Sequence, residues 1–94
     1  MIDFGARPRL APKARLRFDR LSGRSLLLYP ERGMALNDTA AEILRLCTGE
    51  ATVAQIVDDL VAKYGSEKRE ALAAEVRAFL QELADRNLLR GLEP

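Results

Sequence analysis

The chain has 94 residues, of which 48% are hydrophobic and 31% are charged, and its formal net charge is +1. This length suits one domain, and the composition is that of a folded globular protein rather than a disordered or membrane-spanning chain. Histidine is absent and Cys47 is the only cysteine, which excludes an intrachain disulfide and argues against a metal site. The first residues lack the features of a signal peptide, so we expect a cytoplasmic protein.

The charge is divided unevenly along the chain. Residues 1–36 carry eight basic and three acidic side chains, a net charge of +5, whereas residues 37–94 carry seven basic and eleven acidic side chains, a net charge of −4. Either the segregated charges are an ordinary solvated surface, or the basic front attracts a partner electrostatically.

Residues 1–13 are predicted to be an extended N-terminal arm, because Pro8 and Pro12 restrict the backbone of the residues before them. The arm is either a loose terminus or a segment that packs Phe4 and Leu10 on the body or on a second copy. Residues 14–94 are predicted to form a single domain.

Three strands are expected at the start of that domain. Residues 14–19 alternate small or apolar with charged side chains, residues 24–29 are more continuously apolar, and Ser22-Gly23 between them favours a turn, so the two segments predict a β-hairpin. Residues 34–36 follow as a short edge strand, after the break at Pro30.

Three helices are expected next, because apolar residues then recur at steps of three and four. Their predicted caps are Asn37 or Asp38, then Thr52 in a capping box with Gln55, then Ser66. The predicted stops are Thr48-Gly49, Gly65 and Asn87. Residues 88–90 are expected to fold back on the core. The sequence therefore predicts an α+β fold with a three-stranded antiparallel sheet followed by three α-helices.

No group of residues suits catalysis. Asp58 and Asp59 are neighbours on a helix, so their side chains point about 100° apart, on its polar side. Cys47 lies on the apolar stripe of the first helix, where a buried thiol packs as a small hydrophobe. The glycines are scattered singly and form no phosphate loop. We therefore expect no enzymatic activity and no bound cofactor or metal.

A DNA-binding helix-turn-helix is one alternative, because the second and third helices have suitable lengths. Residues 66–86 hold four basic and five acidic side chains, whereas a helix placed between phosphates should be basic. This charge argues against nucleic-acid binding.

An edge strand beside an amphipathic helix favours the binding of an extended peptide, which would add to the sheet as a further strand. The candidate binding residues are Glu31, Arg32, Gly33, Met34, Ala35 and Leu36 on the strand, with Arg77, Leu80, Gln81 and Ala84 on the third helix. Either these residues line a groove or they simply cover the core.

Several segments resemble PqqD proteins in their order and spacing. They are residues 7–19, 28–33, 36–44, 46–49 and 52–57, and the likeness covers residues 7–90. The resemblance implies a winged-helix-like fold known as a precursor-peptide recognition element, with a peptide cleft between the third strand and the third helix.

The resemblance also implies a role and partners. PqqD-like domains bind the precursor peptide PqqA, deliver it to the radical SAM enzyme PqqE in pyrroloquinoline quinone synthesis, and catalyse nothing themselves. A recognition module for another ribosomally made modified peptide is the second reading, and a winged-helix nucleic-acid-binding protein is the third. We expect a monomer in solution, with a homodimer at high concentration, and no membrane partner.

Overall fold

The structure is a computed structural model. It describes residues 2–30 and 32–92. In chain order the elements are β1 (Arg9–Leu10), β2 (Arg15–Asp19), β3 (Arg24–Tyr29), β4 (Arg32–Leu36), α1 (Asp38–Arg45), α2 (Val53–Tyr64), α3 (Arg69–Asp85) and β5 (Leu89–Arg90). Strands β2, β3 and β4 form an antiparallel sheet in this order, and the three helices follow it. The predicted α+β fold is therefore confirmed, and β1 and β5 are additions that the sequence pattern did not predict.

The central strand of the sheet, β3, separates a buried face from an outer face. Its Leu27 is fully buried and lies opposite Leu16 of β2 and Met34 of β4, and residues that lie opposite each other in an antiparallel pair share a face. Leu26 and Leu28 alternate with Leu27 and point to the outer face, where both are half-buried. The helices pack on the inner face, and β4 remains at an edge of the sheet.

The first two helices begin at their predicted caps. The side-chain oxygen of Asn37 accepts a hydrogen bond from the Ala40 N–H at 2.8 Å, at the start of α1. Thr52 and Gln55 form the predicted capping box of α2, in which each side chain accepts a hydrogen bond from the other's backbone N–H, at 3.1 and 2.8 Å. Helix α1 ends at Arg45, before the stop predicted at Thr48-Gly49.

The predicted cap of the third helix is wrong. Ser66 opens a short 3₁₀ turn that runs to Lys68, and α3 begins only at Arg69, with no side-chain cap. The Arg69 N–H, which a capping Ser66 hydroxyl would have bound, bonds instead to the Ser66 backbone carbonyl. The predicted stop is confirmed, because Asn87 has a φ of 59° just after the helix ends.

The N-terminal segment completes the start of α2. The carbonyl of Ala6 accepts a hydrogen bond from the Val53 N–H at 2.9 Å, and the carbonyl of Phe4 accepts one from the Ala54 N–H at 3.0 Å. These are the first two N–H groups of the helix, which have no partner within it. Together with the Thr52 cap, the segment satisfies the donors that the helix leaves open.

The same segment also joins the two ends of the domain. Strand β1 pairs antiparallel with β5, with Arg9 opposite Arg90. Gly91 follows with a φ of 76°, and a side chain at this position would collide with the carbonyl oxygen of Arg7. Ile2 and Ala6 are buried in the core. The residues predicted as an arm are therefore in contact with the body.

The core lies between the inner face of the sheet and the three helices. Its fully buried aliphatic residues are Leu27, Ile43, Val53, Ile56, Leu60, Val76, Leu80, Leu83 and Leu88. Burial of Leu88 agrees with the prediction that residues 88–90 fold back on the core. Among residues 2–30 and 32–92, no helix is both long and apolar enough to cross a membrane.

Candidate functional site

A groove of about 430 Å³ lies between the sheet edge and the C-terminal part of α3. Tyr29, at the end of β3, and residues 32–34 of β4 form one wall, and Glu82 and Arg86 form the other. The two helical residues are four positions apart, so both point from the same face of α3. The groove therefore combines an open strand edge with a charged helix face.

One side chain joins the two walls of this groove. Nη1 of Arg86 lies 3.3 Å from the hydroxyl oxygen of Tyr29, and Nη2 of Arg86 lies 3.2 Å from a carboxylate oxygen of Glu82. The two terminal guanidinium nitrogens therefore donate to different partners. This arrangement orients Arg86 across the groove, whose strand wall also carries Arg32.

The edge of β4 can accept a further strand. Within residues 2–30 and 32–92, β4 pairs with β3 alone, so along its other side alternate backbone N–H and C=O groups have no partner in the described sheet. Gly33 and Ala35 are small and exposed there, and Met34 is half-buried at the groove. The side chain of Ala35 points to the outer face and that of Met34 to the inner face, so an added strand meets the backbone of β4 along this edge.

The strand residues predicted as binding residues are only partly accessible. Arg32, Gly33 and Ala35 are exposed and Met34 is half-buried. Leu36 is 4% exposed and belongs to the core, so its side chain is not available to a ligand. Glu31 lies outside the described residues.

The helix residues predicted as binding residues are not brought to this groove. Leu80 is fully buried, and Ala84 is half-buried against the core. Arg77 and Gln81 line a different depression, of about 400 Å³, beside Ile2. Arg77 also lies over the ring of Phe4, with 4.7 Å between its guanidinium carbon and the ring centroid.

Arg77 and Gln81 do not line the groove because the opposite flank of α3 faces β4. Successive residues of a helix are 100° apart, so Glu82 and Arg86 project from one side of the buried stripe, whereas Arg77 and Gln81 project from the other. The sequence shows the buried stripe, but it does not show which flank the sheet edge meets. The charged residues at positions 82 and 86 could have indicated the flank that faces the sheet edge. The same pair is equally typical of an ordinary solvated helix surface.

Two predictions about reactive groups are confirmed. Asp58 and Asp59 are exposed on α2, and Asp58 pairs with Arg69 at 2.9 Å, so they form a solvated helix face. Cys47 is buried in the core, and burial raises the pKa of its thiol to about 12. A thiol with such a high pKa is almost entirely protonated at neutral pH and is a poor nucleophile.

Comparison with known proteins identifies the family. Residues 24–89 match the sequence profile described as "Coenzyme PQQ synthesis protein D (PqqD)". The chain belongs to the PqqD family. Within this family it is 46% identical to a "PqqA binding protein" of Rhodopseudomonas palustris (strain HaA2) over 84 residues, which cover 89% of this chain and 81% of the relative. A "PqqA binding protein" of Bradyrhizobium diazoefficiens is 42% identical over 88 residues, which cover 94% and 84% of the two chains.

A solved PqqD structure has the same fold. It is the solution NMR structure of the PqqD truncation of Methylobacterium extorquens PqqCD, described as a functional and stand-alone recognition element for ribosomally synthesised and post-translationally modified peptides. The TM-score is 0.80 at 33% identity, and the match covers 96% of this chain and 95% of that chain. The predicted resemblance to PqqD proteins and the predicted recognition-element fold are therefore confirmed.

Proposed function

We propose that this chain is a cytoplasmic, non-catalytic carrier in pyrroloquinoline quinone synthesis that binds the precursor peptide PqqA and presents it to the radical SAM enzyme PqqE. The observation that carries the proposal is the free edge of β4 beside an open groove. Relatives with 46% and 42% identity, which are named for PqqA binding, support the choice of peptide.

The proposed binding mode is strand addition. An extended segment of PqqA pairs with the unpaired backbone groups of β4, which supply affinity that does not depend on sequence. Alternate side chains of that segment then point into the groove. Because addition needs an open edge, we propose that the binding-competent form is a monomer.

The groove supplies the sequence preference. Met34 offers an apolar contact, and Arg32 and Arg86 offer two guanidinium groups, one of which is already held by Glu82. A carboxylate of the peptide placed between Arg32 and Arg86 makes charge-assisted hydrogen bonds, which are stronger than neutral ones. We therefore propose that the bound segment of PqqA places an acidic side chain beside an apolar one. Affinity should fall as salt is added.

The carrier acts by placement. Binding one part of PqqA to a protein that also contacts PqqE turns the encounter of peptide and enzyme into a tethered one, and so raises the local concentration of the reactive segment. No catalytic group of the carrier takes part. If PqqE modifies PqqA at the same rate with the carrier omitted, this role is wrong.

Calorimetric titration with PqqA tests the site. Met34→Asp places a carboxylate in the groove beside Glu82 and removes an apolar contact, so we expect the affinity to fall at least about tenfold. Ala35→Asp is the matched control, because this neighbouring side chain points to the outer face of the same strand, and we expect less than about a threefold change. Leu36→Asp does not serve as a test, because it buries a charge in the core.

Equal losses in the two variants would show that charge anywhere near β4 weakens binding, and the groove would not be the site. Absence of binding by the unaltered protein would remove PqqA as the ligand. Circular dichroism of each variant checks that the fold is intact.

A further inference from the structure

The outer face of the sheet carries apolar side chains that the core does not use. Leu26 and Leu28 point away from the helices, yet each is only half-exposed to solvent. On β4 their opposite residues are Ala35 and Gly33, which are too small to cover them. A depression of about 700 Å³ opens over the two leucines, towards β2. The free face of an antiparallel sheet is ordinarily polar, so this apolar centre is typical of a surface that binds another molecule.

Arginines border this apolar centre on its β2 side and at the turn between β2 and β3. On β2, Arg15 lies opposite Leu28 and Arg17 lies opposite Leu26. Towards the turn, Arg20 lines the depression and Arg24 of β3 lies opposite Asp19. None of these four guanidinium groups forms an ion pair with a carboxylate among residues 2–30 and 32–92. We call this surface, made of Leu26, Leu28 and the four arginines, the arginine face.

The one carboxylate in the hairpin is engaged by the turn. Asp19 accepts hydrogen bonds from the Ser22 hydroxyl at 2.8 Å and from the Leu21 N–H at 3.2 Å. The Ser22 hydrogen bond is the main reason that the pKa of Asp19 is lowered. The arginine face therefore has an excess of positive charge beside its two leucines.

We propose that the arginine face docks the enzyme that modifies the carried peptide, through a patch on that enzyme where Asp and Glu carboxylates surround an apolar side chain. The inference rests on the proposed function, because it assigns the partner of the peptide-loaded protein. Carboxylates complement the arginines in charge and can pair with them bidentately. The apolar centre and polar rim have the usual anatomy of a protein interface.

The position of the arginine face suits this partner. Strands in a sheet lie about 4.8 Å apart, so a peptide added to β4 lies roughly 10 Å from β3, within one continuous sheet. A partner seated on the outer face reaches the peptide without displacing it, because the groove with Met34 opens on the inner side of the strand. Docking and peptide binding therefore use different surfaces of the same sheet.

Leucines at the centre favour a protein over a polyanion. Phosphates of DNA or of a membrane surface would satisfy the arginines but would leave Leu26 and Leu28 facing charged oxygens and water. A protein patch with an apolar centre removes both leucines from water and pairs the arginines at the same time.

The test compares the affinity of PqqE for variants of this protein by surface plasmon resonance, with and without bound PqqA. Arg15→Glu/Arg17→Glu reverses the charge at two exposed positions, and we expect the affinity for PqqE to fall at least about tenfold, with the PqqA affinity within about twofold of the original. Leu26→Thr keeps strand propensity and removes one of the two leucines at the apolar centre, and we expect it to weaken PqqE binding in the same way. Lys68→Glu, an exposed reversal in the 3₁₀ turn, is the control that should leave PqqE binding unchanged.

Undiminished affinity of PqqE for the double variant overturns the proposal, whatever the peptide does. Binding of the unaltered protein to phosphatidylserine vesicles or duplex DNA that the double variant loses, with PqqE binding unchanged, overturns it in favour of an anionic surface. If PqqA fails to bind the unaltered protein while the double variant still loses PqqE, the docking surface is supported and the proposed peptide function fails.

Discussion

Nη1 of Arg86 lies 3.3 Å from the hydroxyl oxygen of Tyr29, so the end of α3 is linked to the end of β3 across the groove beside β4. The same guanidinium group is held by Glu82, one helical turn earlier. Helix α3 also contributes buried aliphatic side chains, among them Leu80 and Leu83, to the core beneath the sheet, and such apolar packing has no fixed direction. The Arg86 hydrogen bond is directional, so it helps to fix the orientation of the helix over the strand edge.

A double-mutant cycle measures this link. We expect Tyr29→Phe and Arg86→Met each to lower the free energy of unfolding slightly, and the pair to show a coupling energy of about 0.5–1 kcal/mol, because each single change already removes the hydrogen bond. Urea unfolding of the four proteins gives the value. Strict additivity would mean that the two side chains do not interact in solution.

Leu80 and Gln81 should respond very differently to truncation. Leu80 is fully buried, so Leu80→Ala removes apolar contacts and leaves a cavity, and we expect a loss of about 2–5 kcal/mol in the free energy of unfolding. Gln81 is half-buried at the surface, and we expect Gln81→Ala to change stability by less than about 0.5 kcal/mol. Thermal or urea unfolding measures both. A small loss for Leu80→Ala would contradict its place in the core.

Cys47 should make stability depend on alkaline pH. Its thiol has a pKa of about 12 in the folded chain, against an ordinary value of 9.0. Between these values the unfolded chain has released the thiol proton and the folded chain has kept it, so the unfolded state binds fewer protons and stability falls as pH rises. The slope attributable to this group is at most about 1.4 kcal/mol per pH unit.

Cys47→Ala isolates that slope, because lysines and tyrosines titrate in both proteins. We expect the difference in free energy of unfolding between the original and the variant to shrink steadily from pH 9 towards higher pH, by urea unfolding at each pH. A difference that stays constant over this range would mean that the thiol ionises freely in the folded state.

Removal of residues 2–6 should weaken the start of α2. The deletion removes the carbonyl partners of the Val53 and Ala54 N–H groups and the buried side chain of Ile2, and we expect a loss of at least about 2 kcal/mol. Hydrogen exchange should speed up at Val53 and Ala54. Thr52→Ala is the comparison, because it removes the acceptor of the Gln55 N–H alone and should cost about 1 kcal/mol. Unchanged exchange at Val53 after the deletion would contradict the role of the segment.

Local chemistry made much of the fold predictable. Asn37 and Thr52 cap helices because their side-chain oxygens reach N–H groups only three residues away, and that spacing is visible in the sequence. Alternation and periods of three and four residues likewise located the sheet and the buried stripes. The prediction that Ser66 caps the third helix was wrong, because a backbone carbonyl accepts the hydrogen bond from the N–H group that the Ser66 hydroxyl would have bound.

Relationships between distant elements were not predictable. The pairing of Arg9 with Arg90 involves two strands of two residues each, which are too short for a periodic pattern. Whether Glu82 or Gln81 faces β4 depends on how α3 crosses the sheet, and both flanks of the helix carry similar polar residues. Residues 32–34 of the predicted strand set therefore line the candidate groove, whereas none of the predicted helix residues does.

The pairing of β1 with β5 has a consequence for the protein as it is synthesised. The ribosome releases the N-terminal segment first, but its strand partner emerges only when residues 89–90 leave the exit tunnel. Until then Arg9 and Leu10 lack their antiparallel partners, and contacts between such distant residues form slowly. We expect the nascent chain to be most vulnerable to proteases and to aggregation in this interval, although every helix has by then been translated.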